Sequence, residues 1–217
     1  MNGLAFYDLD GTLVSSNVIH QYAWFARHHP AAAWKLARLA VCSPAFVTEL
    51  FSRRMFNVVF FRQYRGMSRD WLQSRAEEMF RDVLLPHTFR GAGTLVAADR
   101  AEGLRTVLLT GSLDFAVAPL ARWLGIDDVV ANRLEFDAGG RATGRLIPPL
   151  LAGEEKAEII RATLAGYNVS SDRAKAYSDS FSDLPMLESV GRPSAVNPGK
   201  RLRAVAVERG WPILDLR

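Results

Sequence analysis

The chain has one cysteine, Cys42, so no disulfide can form within it and a cystine-stapled scaffold is excluded. It also lacks any run near the ~20 apolar residues that a membrane-crossing helix needs. The longest apolar runs, 39–48 and 55–61, are short and bounded by charge. No basic segment followed by an apolar one precedes Asp8, as a secretory leader would require. These absences lead us to expect a cytoplasmic protein with no transmembrane segment. Neither sign of charge dominates, with 27 Lys plus Arg against 23 Asp plus Glu. The arginines are scattered and no basic run is interleaved with aromatics, so a nucleic-acid partner is not expected. The small basic excess suits attraction of an anionic substrate or a membrane surface. The four histidines, His20, His28, His29 and His87, have no cysteine or carboxylate at metal-ligand spacing and read as surface or capping residues.

What is present begins with residues 4–13, Leu-Ala-Phe-Tyr-Asp-Leu-Asp-Gly-Thr-Leu. An apolar strand delivers Asp8 and Asp10 to a glycine turn. Two residues apart, they point to one side while the strand pattern lasts. Like charges that close are costly unless a cation lies between them or one holds a proton. Gly11 permits a tight turn, and Thr12 adds a hydroxyl beside it.

The pattern from Val18 to Leu85 is helical and contains no parallel-strand signal, which predicts an all-helical insertion. The first helix runs from Val18 to about His28-His29-Pro30, and the second from Ala31 to Val41. Ser43-Pro44 reads as an N-cap with proline in the first turn of a third helix over 46–61. Ser68 caps a fourth, and Pro86 closes the block. Helix and strand then alternate, with strands near 105–110, 129–136, 142–147, 174–178, 195–196 and 213–214. That alternation predicts an α/β fold with a Rossmann-like parallel sheet, helices on both faces, and right-handed crossovers. The expected division is a core of residues 1–15 and 88–217 with a helical cap of residues 16–87. A chain of 217 residues is long enough for both.

Ligands bind at the carboxyl ends of such strands. One strand ends in Asp8 and Asp10. A second ends in Thr110-Gly111-Ser112, with a hydroxyl and free backbone N–H groups suited to an oxyanion. A third ends in Ser178-Asp179-Ser180-Phe181-Ser182-Asp183. Lys156 sits at the start of a helix, where the macrodipole disfavours a cation. Either Glu154 and Glu155 screen it, or it neutralises a bound anion. Four carboxylates and a lysine suit a hard divalent cation with retained waters, of which magnesium is the natural choice, together with a phosphate.

These segments, Asp-Leu-Asp-Gly-Thr at 8–12, Leu-Leu-Thr-Gly-Ser at 108–112, Lys156 and Ser-Asp-Ser-Phe-Ser-Asp at 178–183, resemble the four ordered motifs of the haloacid dehalogenase superfamily of phosphohydrolases. Their spacing is similar to the phosphoserine-phosphatase-like branch, which has a helical cap after the first motif. The resemblance implies Asp8 as nucleophile and Asp10 as general acid and then base. It implies phosphate binding by Gly11, Thr110, Gly111 and Lys156, and Mg2+ held by Asp8, Asp10 and Asp179, supported by Asp183. Phosphoserine phosphatases carry a glutamate nine residues after the nucleophile. Here that position is Asn17, a candidate specificity residue that carries no charge.

The expected reaction is magnesium-dependent hydrolysis of a small phosphorylated metabolite through an aspartyl-phosphate. A phosphatase of a lysophospholipid- or phosphatidylglycerophosphate-type headgroup, a phosphotransferase using the same intermediate, and a non-catalytic scaffold are the alternatives. The insertion holds Trp24, Phe25, Trp34, Phe46, Phe51, Phe56, Phe60 and Phe61, with Arg53, Arg54, Arg62 and Arg65 nearby. Those aromatics either pack internally or form a lipid-facing or dimer surface. The expected partners are therefore a phosphorylated small molecule or lipid headgroup, with peripheral membrane contact possible, in a monomer or homodimer.

Overall fold

The computed structural model describes residues 2–47 and 53–217. Strand β1 (Gly3–Tyr7) is buried along its whole length, as expected of a strand covered on both faces. A helical stretch follows: α1 (Val18–His28), α2 (Ala32–Val47), α3 (Arg53–Phe60), a 3-10 turn over Phe61–Tyr64, α4 (Arg69–Ser74), α5 (Ala76–Met79) and a wide π turn over Phe80–Leu84. The chain then runs through α6 (Ala92–Ala101), β2 (Leu104–Leu113), α7 (Asp114–Leu124), β3 (Asp128–Phe136), β4 (Ala142–Ile147) and α8 (Glu154–Gly166). It ends with β5 (Ala174–Ser178), α9 (Leu184–Glu188), β6 (Arg192–Val196), α10 (Lys200–Glu208) and β7 (Ile213–Leu214).

The seven strands form one sheet in the order β4-β3-β2-β1-β5-β6-β7. Every pairing is parallel except β3 with β4. The chain builds outward from β1 on one side, then returns to build from its other side. The strand order therefore reverses at β1, and a crevice opens at its carboxyl end. This is the α/β fold that the alternating pattern predicts.

Alternate residues of β1 feed two cores. Leu4 and Phe6 pack with Ile160, Leu164, Leu187 and Leu202 from α8, α9 and α10. Ala5 and Tyr7 face the larger core with Val96, Val117 and Leu120 from α6 and α7. Each such large side chain contributes about 1.5–3 kcal/mol by leaving water.

The helical stretch departs from expectation in two places. Helix α2 continues to Val47, straight through Ser43-Pro44, because local capping signals are weak against the continuing helix. The third helix is expected over 46–61; residues 48–52 lie outside the described residues, and from Arg53 the helix runs to Phe60 before giving way to the 3-10 turn. Phe25, Phe60 and Phe61 are fully buried and Trp24 nearly so, which accounts for much of the aromatic excess by packing alone. Trp34 is the exception, two-thirds exposed. The Phe46 and Phe51 side chains lie outside the described residues. Among the described residues no helix is long and apolar enough to cross a membrane.

The β3–β4 hairpin reaches back to the helical stretch. Asp137 Oδ1 accepts from the N–H groups of Gly139 (3.0 Å) and Arg141 (2.9 Å), which closes the turn. Gly66 N–H donates to Ala142 O, Ala142 N–H to Met67 O, and Arg69 N–H to Gly140 O, each at 2.8 Å.

Candidate active site

Asp8 continues the line of β1, its N–H donating to Tyr177 O at 3.0 Å. The chain then coils on itself: the N–H groups of Thr12, Leu13 and Val14 all converge on Leu9 O. Gly11 makes the coil possible with φ of +85°. It also makes room, because a Cβ there would lie 2.2 Å from Asp179 Oδ2. Its N–H is used by Val14 O at 2.7 Å, and it does not line the pocket. Its place is between the first and last carboxylate loops.

A pocket of about 50 Å³ opens at these strand ends. Asp8, Asp10, Thr110, Gly111, Lys156 and Asp183 line it, so six of the nine candidate residues come together. Val18, Phe56, Leu151 and Ala152 supply apolar wall, and Ser180 and Ser182 supply hydroxyls. Lys156 lies in the first turn of α8, nearly fully buried. Its Nζ donates to Asp8 Oδ1 at 2.7 Å and to Asp183 Oδ2 at 2.8 Å. Glu154 pairs with Arg161 rather than with Lys156. Burial works against the Lys156 charge, but Asp183 and Asp8 outweigh that and hold its pKa above the usual lysine range. The Asp8 pKa is pushed up by burial and by Asp183, with Lys156 opposing.

The other candidates sit around this centre. Asp10 Oδ2 accepts from Val18 N–H at 3.2 Å, and its Oδ1 lies 3.5 Å from the Ser112 hydroxyl. Thr12 Oγ1 accepts from Asp179 N–H at 3.0 Å and reaches toward Asp179 Oδ1 (3.4 Å) and Asp8 Oδ2 (3.5 Å). Asp183 also accepts from Ser178 Oγ at 2.9 Å. Asn17 is elsewhere: its side chain caps α1, accepting from the N–H of Ile19 and His20, while His20 Nδ1 accepts from Asn17 N–H. The histidines make local contacts of this kind, His28 with Trp24 O and His87 with Val83 O.

Two residues of the site, Asn132 and Gln21, escaped the sequence reading, and Ser112 was read only as the end of the Thr110-Gly111-Ser112 turn. Asn132, fully buried in β3, donates to Gly111 O at 2.7 Å and accepts from Leu151 N–H at 2.9 Å. It thereby joins the Thr110-Gly111 loop to the loop ahead of Lys156. Asn132 shares a strand face with buried Leu134, and a polar residue on that face was the available signal. Gln21 and Ser112 carried no such signal, because their partner lies 91 residues away.

Four carboxylates against one ammonium leave the site short of positive charge. Among the described residues no three carboxylate, histidine or cysteine side chains cluster as a ready metal cage. Asp8 and Asp179 do approach one hydroxyl, Thr12 Oγ1, from two sides. A carboxylate pair with a backbone carbonyl and waters is a donor set that suits magnesium, which keeps much of its water shell. The chemistry of the residues present therefore fits such an ion.

The pattern of the haloacid dehalogenase-like hydrolases matches residues 5–188. The chain belongs to that family of hydrolases. Among its relatives, a probable phosphatase of Mycobacterium tuberculosis is 33% identical over 97% of this chain and 74% of its own. The "inhibition of morphological differentiation" protein of Streptomyces azureus is 39% identical over 70% of this chain, and the match spans only 54% of that relative's length. A solved Bordetella pertussis protein of unknown function superposes over the whole of both chains with a TM-score of 0.88 at 30% identity. A substrate-bound phosphoserine phosphatase superposes over 99% of this chain and 93% of its own with a TM-score of 0.72. At 18% identity that likeness concerns the fold.

Proposed function

We propose that the chain is a magnesium-dependent phosphomonoester hydrolase acting on a small phosphorylated metabolite, with residues 16–87 as a cap over the site. The observation that carries this reading is the buried Asp8–Lys156–Asp183 array at 2.7 and 2.8 Å on the floor of a pocket that also holds Asp10, Thr110 and Gly111. A carboxylate held against a lysine beside an oxyanion-binding loop is suited to attack a phosphoryl group.

In this mechanism an Asp8 carboxylate oxygen forms a bond to phosphorus as the ester P–O bond breaks, and Asp10 gives its proton to the departing oxygen. The products of this half-reaction are an alcohol and Asp8 phosphate. Asp10, now a carboxylate, takes a proton from water, whose oxygen attacks phosphorus and releases Asp8 and inorganic phosphate. Thr110, the Gly111 N–H and Lys156 receive the phosphoryl oxygens throughout. Asp8, the Asp10 carbonyl and Asp179 would hold the magnesium, with Asp183 beside them. When bound, the cation offsets repulsion between carboxylate and phosphate. Asn17, committed to capping α1, offers no carboxylate to a substrate ammonium. The substrate is therefore read differently from phosphoserine at that position.

The test is phosphate release from a phosphomonoester panel that includes phosphoserine and phosphorylated lipids, using wild type and Asp8→Asn. Magnesium-dependent release that is lost in Asp8→Asn supports the reading, and chelation by EDTA abolishes it reversibly. Transfer to an alcohol without free phosphate would assign a phosphotransferase instead. Because Asp183 keeps its 2.8 Å bond to Lys156 in Asp8→Asn, the variant should stay folded, and thermal unfolding checks that lost release is not lost structure.

A further inference from the structure

The contacts that hold Asp10 lead out of the sheet and into helix α1. Val18, the first residue of that helix, gives its N–H to Asp10 Oδ2 at 3.2 Å. Ser112, near the end of β2, places its hydroxyl 3.5 Å from Asp10 Oδ1. Gln21, three residues beyond Val18, donates Nε2 to Ser112 Oγ at 3.0 Å. Gln21 and Ser112 are 1% and 0% exposed. A primary amide buried in a helix whose neighbours are Tyr22, Trp24 and Phe25 needs a partner. A serine hydroxyl has one hydrogen and two lone pairs. With one lone pair taken by the Gln21 amide, its hydrogen is directed at Asp10.

We propose that Gln21 is a positioning residue: through Ser112 it sets the orientation of the Asp10 carboxyl that protonates the leaving oxygen. The inference rests on the reading of Asp10 as that acid. Helix α1 then holds both oxygens of Asp10, one by its own backbone and one through this relay. The helical insertion thereby sets the proton-transfer geometry as well as shaping the pocket wall.

The distinguishing readout is leaving-group dependence. Protonation helps an alkoxide leave and matters little to a nitrophenolate, which departs unprotonated. General acid assistance is worth roughly 10²–10⁴-fold, so partial misplacement should cost about 10–100-fold. In Gln21→Leu, kcat/KM for an alkyl phosphate should fall by about that factor, against less than about threefold for 4-nitrophenyl phosphate. Ser112→Ala should steepen the same slope, and Ser112→Thr, which keeps the hydroxyl, should restore it. Equal losses across the leaving-group series would overturn the proposal and leave Gln21 as packing. If Gln21→Leu does not fold, the Ser112 pair decides, and identical slopes for Ala and Thr would overturn it. No Asp8-dependent release from any substrate by wild type overturns the phosphatase reading itself, and this role with it.

Discussion

In helix α6, beneath the strand ends of the pocket, Asp99 gathers three donors. Tyr7 Oη donates to it at 2.5 Å, Lys175 Nζ at 2.7 Å and Tyr177 Oη at 3.1 Å, and the two tyrosine rings stack at 5.1 Å. Tyr7 immediately precedes Asp8, and Tyr177 precedes the loop of Asp179 and Asp183, so this cluster fixes the two strands that aim the site. Removing one member of a buried charge network costs about 3–5 kcal/mol. Lys175 keeps Glu102 at 2.6 Å, so Asp99→Ala should lose the lower end of that range in urea unfolding, with both tyrosine hydroxyls left without their acceptor. Burial, then Asp99, raises the pKa of both tyrosines above their usual 10.0. Above pH 10 the unfolded chain therefore gives up protons that the folded chain keeps, and stability falls as pH rises. Below pH 10 that contribution is present in full. Tyr7→Phe should flatten the alkaline slope of the melting temperature.

Among the elements, β3 connects two loops of the pocket through Asn132. Asn132→Ala would strand Gly111 O and Leu151 N–H, each at about 1–3 kcal/mol. Since Gly111 and Leu151 both line the pocket, weaker inhibition by inorganic phosphate should accompany the lost stability. Unchanged phosphate inhibition would show that the two loops keep their places without it. The sheet and its helices were legible because apolar periodicity and closing glycines are local signals: β4 (Ala142–Ile147) and β5 (Ala174–Ser178) run as expected. Ser43-Pro44 misled for the same reason, as a local capping signal inside a longer helix. Asn17 carries a role the sequence did not show: its capping box uses His20 in place of the usual Glu or Gln, so the residue proposed for specificity also starts helix α1.

For the whole molecule, the site was legible where it consists of charged groups at strand ends and a helix start, because Asp8, Asp10, Lys156 and Asp183 make chemical sense as a set. The groups that orient them are neutral and distant in sequence, as with Gln21, Ser112 and Asn132, and only the folded chain shows which partners they meet. The three backbone bonds between residues 66–69 and the β3–β4 hairpin give the helical insertion a second attachment, far along the chain from Asp10. Backbone bonds of this kind open in cooperative units. The amides of Gly66, Arg69 and Ala142 should therefore exchange with deuterium at one common rate. Slackening the turn with Asp137→Ala should speed all three together, whereas separate rates would mean that hairpin and insertion open independently. A common rate would make the hairpin, which lines none of the pocket, the timer on how often the insertion comes loose.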